Sequence, residues 1–251
     1  MRSILLAVLA FIALSLPARA DWPLDKMNRQ IEQTNVIVSG ICSGTIIDVK
    51  RRLVLTAYHC VTDNLREVEK KEVDPKTGEI KTKTVQEAIP MYIETWKYGK
   101  DYEVISSVHY VAEIKGTDSA SDTALLQVED EDWKPASAAP FAPDSYRYDR
   151  GKTVYAVGNP GILFDNSITK GIISAPMRRL DFGNGVKIPL FQHSASVIGG
   201  NSGGAIYDED GQIIGTLTGG VRGADISLAV PISYAKAMIR KAGYGSIFSK
   251  K

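Results

Sequence analysis

The chain is predicted to be all-β, a barrel or a sandwich, on three observations. Short runs rich in β-branched residues recur along it, turn residues separate them at a near-regular spacing, and a single stretch near the C-terminus has a clear helical period. Its 251 residues, 44% of them hydrophobic, suffice for one large domain or two small ones.

Taken in order, "VIVSGICSGTIID" and "RRLVLTAYHC" are the first strand candidates, broken by glycine and by a charged turn. "MYIETWKYG", "YEVISSVHYVAEI" and "TALLQVE" follow. Before them, "REVEKKEVDPKTGEIKTKTV" is charged throughout, with Asp74, Pro75 and Gly78 at its tip. This segment, residues 66–85, reads as a solvated hairpin, with a partner-binding exosite as the alternative. "WKPASAAPFAPDSYRYDRG" lacks periodicity and reads as a connector. Strand patterns resume in "KTVYAVGNPG", "SITKGIISAPM", "KIPLFQHSA", "GGAIYDEDGQIIGTLTGG" and "ISLAVPI". "PISYAKAMIRKAGYG" puts Ala235, Met238 and Ile239 on one face of a helix that ends at Gly243.

The first twenty residues differ from the rest. Arg2, the apolar run "ILLAVLAFIALSL" and the small residues of "PARA" form a secretory signal peptide, with cleavage expected after Ala20. The run is too short for a comfortable membrane span. The mature protein is therefore expected to be exported, periplasmic or secreted, with no membrane attachment. In an oxidising compartment Cys42 and Cys60 are expected to pair, a loop closure worth about 3 kcal/mol in the chain-entropy model. The formal net charge of +1, with no clustered basic stripe, argues against nucleic acid as a partner. Three histidines and two cysteines without ligand spacing imply no metal and no organic cofactor.

The segment "GGNSGGA" raises the question of chemistry, because Ser202 sits among glycines. It matches the G-x-S-x-G elbow of α/β-hydrolases, in which the acid and the histidine follow the serine. Here His59, His109 and His193 all precede Ser202, so that reading fails on chain order. The order histidine, aspartate, serine stays open. His59 ends an apolar strand in "LTAYHC", and Asp122 begins one in "DSASDTALLQV", where Asp118 competes with it. A serine hydroxyl needs an adjacent base, which His59 would supply, and Asp122 would hold the imidazole tautomer. The N–H groups of Gly200 and Ser202 would form an oxyanion hole. His109 reads as structural, and His193 as a strand residue with a pocket wall as the alternative.

"TAYHC", "SDTALLQV" and "GNSGGAI" resemble the three signature segments of chymotrypsin-fold serine proteases. "VGNPGILFDNSITKGIISA", "FQHSASVIGGNSGGAIYDEDGQIIG" and "ISLAVPISYAKAMIRK" are similar to the bacterial Deg/HtrA branch. The resemblance implies two packed six-stranded antiparallel β-barrels with His59, Asp122 and Ser202 in the cleft between them. Its domains would be a signal peptide (1–20), a first barrel (21–135), a linker (136–150) and a second barrel with the closing helix (151–251). It implies cleavage of protein or peptide substrates through an acyl-enzyme. Nothing after the helix corresponds to a PDZ domain, so a monomer is the expected state. Asn201 replaces the aspartate that pairs with a freed N-terminus in animal zymogens, so no such switch is expected.

By the same resemblance Ser196 lies near the base of the pocket for the residue before the cut. Thr216, Leu217, Thr218 and Gly219 would form the strand that pairs with substrate. No Asp or Glu occurs from Phe191 through Ala205, which argues against a Lys or Arg preference and for a small or medium apolar residue. Two rival readings are a binding protein on a protease scaffold and an esterase using the same three residues.

Overall fold

The computed structural model describes residues 22–100, 103–181, 185–221 and 223–249. The signal sequence lies outside the described residues.

Two closed six-stranded antiparallel barrels account for most of the chain. The first is built from β1 (Asn35–Val38), β2 (Cys42–Asp48), β3 (Leu53–Thr56), β6 (Met91–Tyr98), β7 (Val104–Asp118) and β8 (Thr123–Val128). The second is built from β9 (Thr153–Gly158), β10 (Ser167–Asp181), β11 (Lys187–His193), β12 (Ala205–Tyr207), β13 (Ile213–Val221) and β14 (Ile226–Pro231). β4 (Leu65–Val73) and β5 (Ile80–Ala88) form a separate two-stranded hairpin, in the place where the charged segment predicts one. Closure leaves neither barrel a long unpaired edge.

Each barrel has its own apolar interior. Val36, Val54, Ile93 and Leu126 fill the first, and Ile173, Phe191, Ile206 and Leu217 the second. A third cluster joins them, with Leu53, Leu55 and Leu125 from the first barrel meeting Tyr155, Tyr207 and Ile213 from the second. The connector is stitched to both barrels. The Ala139 N–H donates to the Ile46 carbonyl at 2.9 Å and the Ala142 N–H to the Ile213 carbonyl at 3.0 Å. Burying this seam holds the two halves of the cleft in one geometry.

The closing helix, α2 (Ile232–Lys241), buries Ala235, Met238 and Ile239, as its period predicts. It stops at Gly243, whose φ of +88° suits glycine. There the Gly243 N–H reaches the Arg240 carbonyl and the Tyr244 N–H the Ile239 carbonyl, which satisfies two of the last helical acceptors.

A second helix, α1 (Leu24–Thr34), was not anticipated from the sequence. Met27, Ile31 and Thr34 are its buried face, and Trp22 just before it is 4% exposed against Tyr155 and Tyr207. Gly211 makes room for the indole, since a Cβ there would lie 2.6 Å from the ring. The helix has no side-chain N-cap and few apolar residues, so tertiary burial rather than propensity stabilises it.

Candidate active site

Three loops meet at the cleft. His59 lies in the 3-10 turn Tyr58–Cys60 that follows β3, and the Cys42–Cys60 disulfide ties that turn to the start of β2. Asp122 follows the turn Ser119–Ser121 and precedes β8, with a left-handed φ of +47° that turns its side chain inward. Ser202 lies in the loop between β11 and β12.

The His59 Nδ1 is 2.9 Å from Asp122 Oδ2 and 3.0 Å from Oδ1, and the His59 backbone N–H also donates to Oδ1 at 3.0 Å. A carboxylate only accepts, so Nδ1 carries a proton and donates it to Asp122. Asp122 is 3% exposed, whereas the imidazole is half-exposed. Asp118 plays a separate part. It accepts from the Ala120 N–H and the Ser121 hydroxyl and so caps the turn that presents Asp122.

Thr218 joins Ser202 to this pair. Its hydroxyl donates to Asp122 Oδ2, and its carbonyl accepts from the Ser202 hydroxyl at 3.4 Å. The sequence placed Thr218 among substrate-binding residues and missed this link. Strand alternation alone does not reveal it, because β13 is irregular between Leu217 and Gly219.

The loop before Ser202 is held from two sides. The Gly161 N–H donates to the Gly199 carbonyl at 2.7 Å. Across a trans peptide the Gly200 N–H points the opposite way from that carbonyl. Gly200 has φ +97°, and a Cβ there would lie 2.4 Å from the Asn159 carbonyl oxygen, so only glycine fits. Ser43 on β2 donates its backbone N–H to the Ser202 carbonyl and its hydroxyl to the Gly200 carbonyl, both at 2.7 Å. Asn159 closes the network by donating its N–H to the Ser43 hydroxyl at 2.9 Å. Ser43 gave no signal in the sequence beyond its place beside Cys42.

A cavity of about 710 Å³ opens beside Ser202, lined among others by Ser196, Val197, Gly219, Gly220 and Asp225. Ser196 and Gly219 thus adjoin the serine, and small residues leave room for a side chain. Asp225 brings an exposed carboxylate to this cavity from outside the segment in which the sequence found no charge. Thr216 and Leu217 lie elsewhere. Both are 1% exposed, Thr216 pairs with Ala205 and Val230, and Leu217 exchanges backbone hydrogen bonds with Gly203 and Gly204. From β13 the cavity is lined by Gly219, Gly220 and Val221.

Neither remaining histidine reaches the site. The exposed His109 on β7 lies 3.4 Å from the half-buried Glu94 on β6. His193 is fully buried on β11 beside Phe191, and burial lowers its pKa to about 4 despite a small opposing contribution from the Ala195 backbone.

Comparison with known proteins agrees with this fold. A serine endoprotease structure from Yersinia pestis superposes with a TM-score of 0.58 at 22% identity, covering 87% of this chain and 65% of that one. A probable periplasmic serine endoprotease, DegP-like, from Marinomonas sp. (strain MWYL1) is 35% identical over 136 residues, 52% of this chain and 27% of the relative. The serine protease Do-like HtrA of Lactobacillus helveticus is 38% identical over 105 residues, 41% of this chain and 25% of the relative. The chain spans about a quarter of the length of these two relatives. The family model for the trypsin-like peptidase domain matches residues 42–215, which contain all three candidate catalytic residues and both cysteines. This protein belongs to the trypsin-like peptidase domain family.

Proposed function

We propose that this chain is an exported serine endopeptidase whose catalytic residues are His59, Asp122 and Ser202. The observation that carries the reading is the linkage through Thr218, which bonds Asp122 with its hydroxyl while its carbonyl holds the Ser202 hydroxyl. Three side chains from both barrels are thereby linked through one residue.

In the reaction the Ser202 hydroxyl leaves the Thr218 carbonyl and gives its proton to His59 Nε2. The oxygen attacks the substrate carbonyl carbon as His59 takes the proton, and Asp122 stabilises the imidazolium. The oxyanion is received by the N–H groups of Gly200 and Ser202, an interaction worth about 3 kcal/mol or more of barrier per donor in comparable sites. His59 then returns the proton to the departing amine as the C–N bond breaks. Water hydrolyses the acyl-enzyme by the same route. The acyl part of the substrate would lie along Thr218–Gly220 with its terminal side chain in the Ser196–Gly219 cavity.

Export is supported by the N-terminal signal pattern, by the periplasmic naming of the DegP-like relatives and by the Cys42–Cys60 disulfide. Among the described residues no helix is long and apolar enough to cross a membrane. The proposed domain division keeps residues 136–150 as the linker, a reading supported by the two closed barrels on either side. Mapping the residue modified by a fluorophosphonate tests the reading. An adduct on Ser202 supports it, and an unmodified Ser202 in folded protein refutes it.

A further inference from the structure

We propose that the β4–β5 hairpin presents a basic face that binds acidic residues of a polypeptide substrate on the leaving-group side of the cut. The proposal rests on the peptidase reading above and names a property of its substrates.

The hairpin stands next to the base. The chain passes from His59 through Cys60 and Asn64 directly into β4, and the Ile89 N–H closes the root on the Asn64 carbonyl at 2.8 Å. His59 is the group that protonates the departing amine, so the departing segment leaves past this root. The acyl segment lies on the other side, along β13. Nine paired residues per strand, at about 3.4 Å each, project the hairpin some 30 Å.

Cross-strand partners share a face, and the register sorts the charges. One face carries the pairs Arg66–Glu87, Val68–Val85, Lys70–Lys83 and Glu72–Lys81. It holds four cations against two carboxylates. The other face holds Lys71 with Glu67 and Glu69, between the apolar pairs Leu65–Ala88 and Val73–Ile80. Two lysines directly opposite each other destabilise a hairpin unless an anion lies between or over them. Two of the hairpin's carboxylates are already paired with cations of this face, and Glu72 at its outer end is the remaining one on it. Glu87 is 3.0 Å from Arg66 and 4.0 Å from Lys70, while Asp74 at the tip takes Lys81 at 2.8 Å. Lys83 has no carboxylate partner among the described residues. The half-buried Val68 and Val85 beside the lysine pair add an apolar step. Cations flanking a small apolar patch on an extended, unpacked ribbon match a polypeptide bearing Asp or Glu.

The test uses the full chain carrying Ser202→Ala, so that binding is read without cleavage. A fluorescent hexaglutamate peptide should bind, a hexaglutamine peptide should not, and salt should reverse the binding because exposed charges are screened within about 8 Å at physiological ionic strength. Replacing Lys70 and Lys83 together by Gln should weaken hexaglutamate binding about fivefold. E87Q, which removes a carboxylate from the same face, should tighten it. Equal binding of both peptides, no change in either variant, or preference for duplex DNA over hexaglutamate would overturn the proposal. A second arm follows cleavage of two peptides identical through the scissile bond and followed by a Glu or a Gln run. The Glu peptide should show the higher kcat/KM, and the lysine variant should erase the difference. Absent fluorophosphonate labelling of Ser202 in the unsubstituted chain would fail the peptidase reading, whereas absent hexaglutamate binding would fail the hairpin proposal alone.

Discussion

Ser43 and Ser202 are joined across the barrel interface: the Ser43 N–H donates to the Ser202 carbonyl at 2.7 Å, and the Ser43 hydroxyl secures the Gly200 carbonyl two residues earlier. The first barrel thereby fixes the loop that presents the second barrel's nucleophile. Ser43→Ala leaves the Gly200 carbonyl and the Asn159 N–H without this partner, at a cost of about 1–3 kcal/mol if they stay buried. The outcome expected is a kcat loss of about tenfold with KM little changed, because the loop shifts while the binding edge at Thr218–Gly220 stays. Steady-state kinetics on a peptide substrate, with a thermal melt of the same sample, separates loop misplacement from general destabilisation.

Thr218 predicts a hydroxyl requirement. Thr218→Val keeps the shape and the backbone carbonyl under Ser202 but withdraws a donor from a carboxylate that is 3% exposed. Activity should fall about tenfold or more, in line with the value of hydrogen bonds to charged groups. Thr218→Ser should restore it. If the valine variant keeps full activity in steady-state kinetics, the hydroxyl does not act on the pair.

His193 predicts acid lability. Its folded pKa is about 4, below the ordinary value of 6.5, so the unfolded chain binds this proton first as pH falls. Its neutral form is accommodated fully above pH 6.5, and stability is lost between pH 6.5 and 4. The loss attributable to this side chain approaches about 3 kcal/mol at the lower limit. Denaturant titrations across that window, with wild type against His193→Leu, check it. The variant should have the flatter dependence.

The disulfide predicts a combined loss of stability and activity. It closes a loop of sequence separation 18, worth about 3 kcal/mol in the chain-entropy model. Cys42 adjoins Ser43 and Cys60 adjoins His59, so cutting the link loosens the base and the nucleophile's anchor together. Dithiothreitol should lower Tm by several degrees and reduce activity at temperatures where the protein is still folded. An unchanged melt in reductant would contradict this.

The strands and the three candidate catalytic residues were legible in the sequence because each signal is local, whereas the two barrels were implied only by the resemblance of the segments that carry those residues. Period-two runs mark strands, and His59, Asp122 and Ser202 each sit at a strand boundary in a recognisable segment. What escaped depends on distant partners. Helix α1 has its buried residues at 27, 31 and 34, a helical spacing, but its low mean hydropathy hides the pattern until Trp22 and the inter-barrel seam supply the other surface. Ser43 acquires its role from residues 116 and more positions away. The direction of Thr218 follows from an irregularity in β13 that composition does not announce. The charge at the mouth of the cavity comes from Asp225, which lies beyond the uncharged run that precedes and surrounds Ser202.

The central claim is that Ser202 is a nucleophile activated by His59. The most direct measurement is to treat the purified mature protein with a fluorophosphonate and locate the adduct by peptide mass mapping. The adduct is predicted on Ser202 alone, abolished in Ser202→Ala and strongly slowed in His59→Ala. A folded protein that remains unmodified at Ser202, or that labels equally fast without His59, would contradict the account.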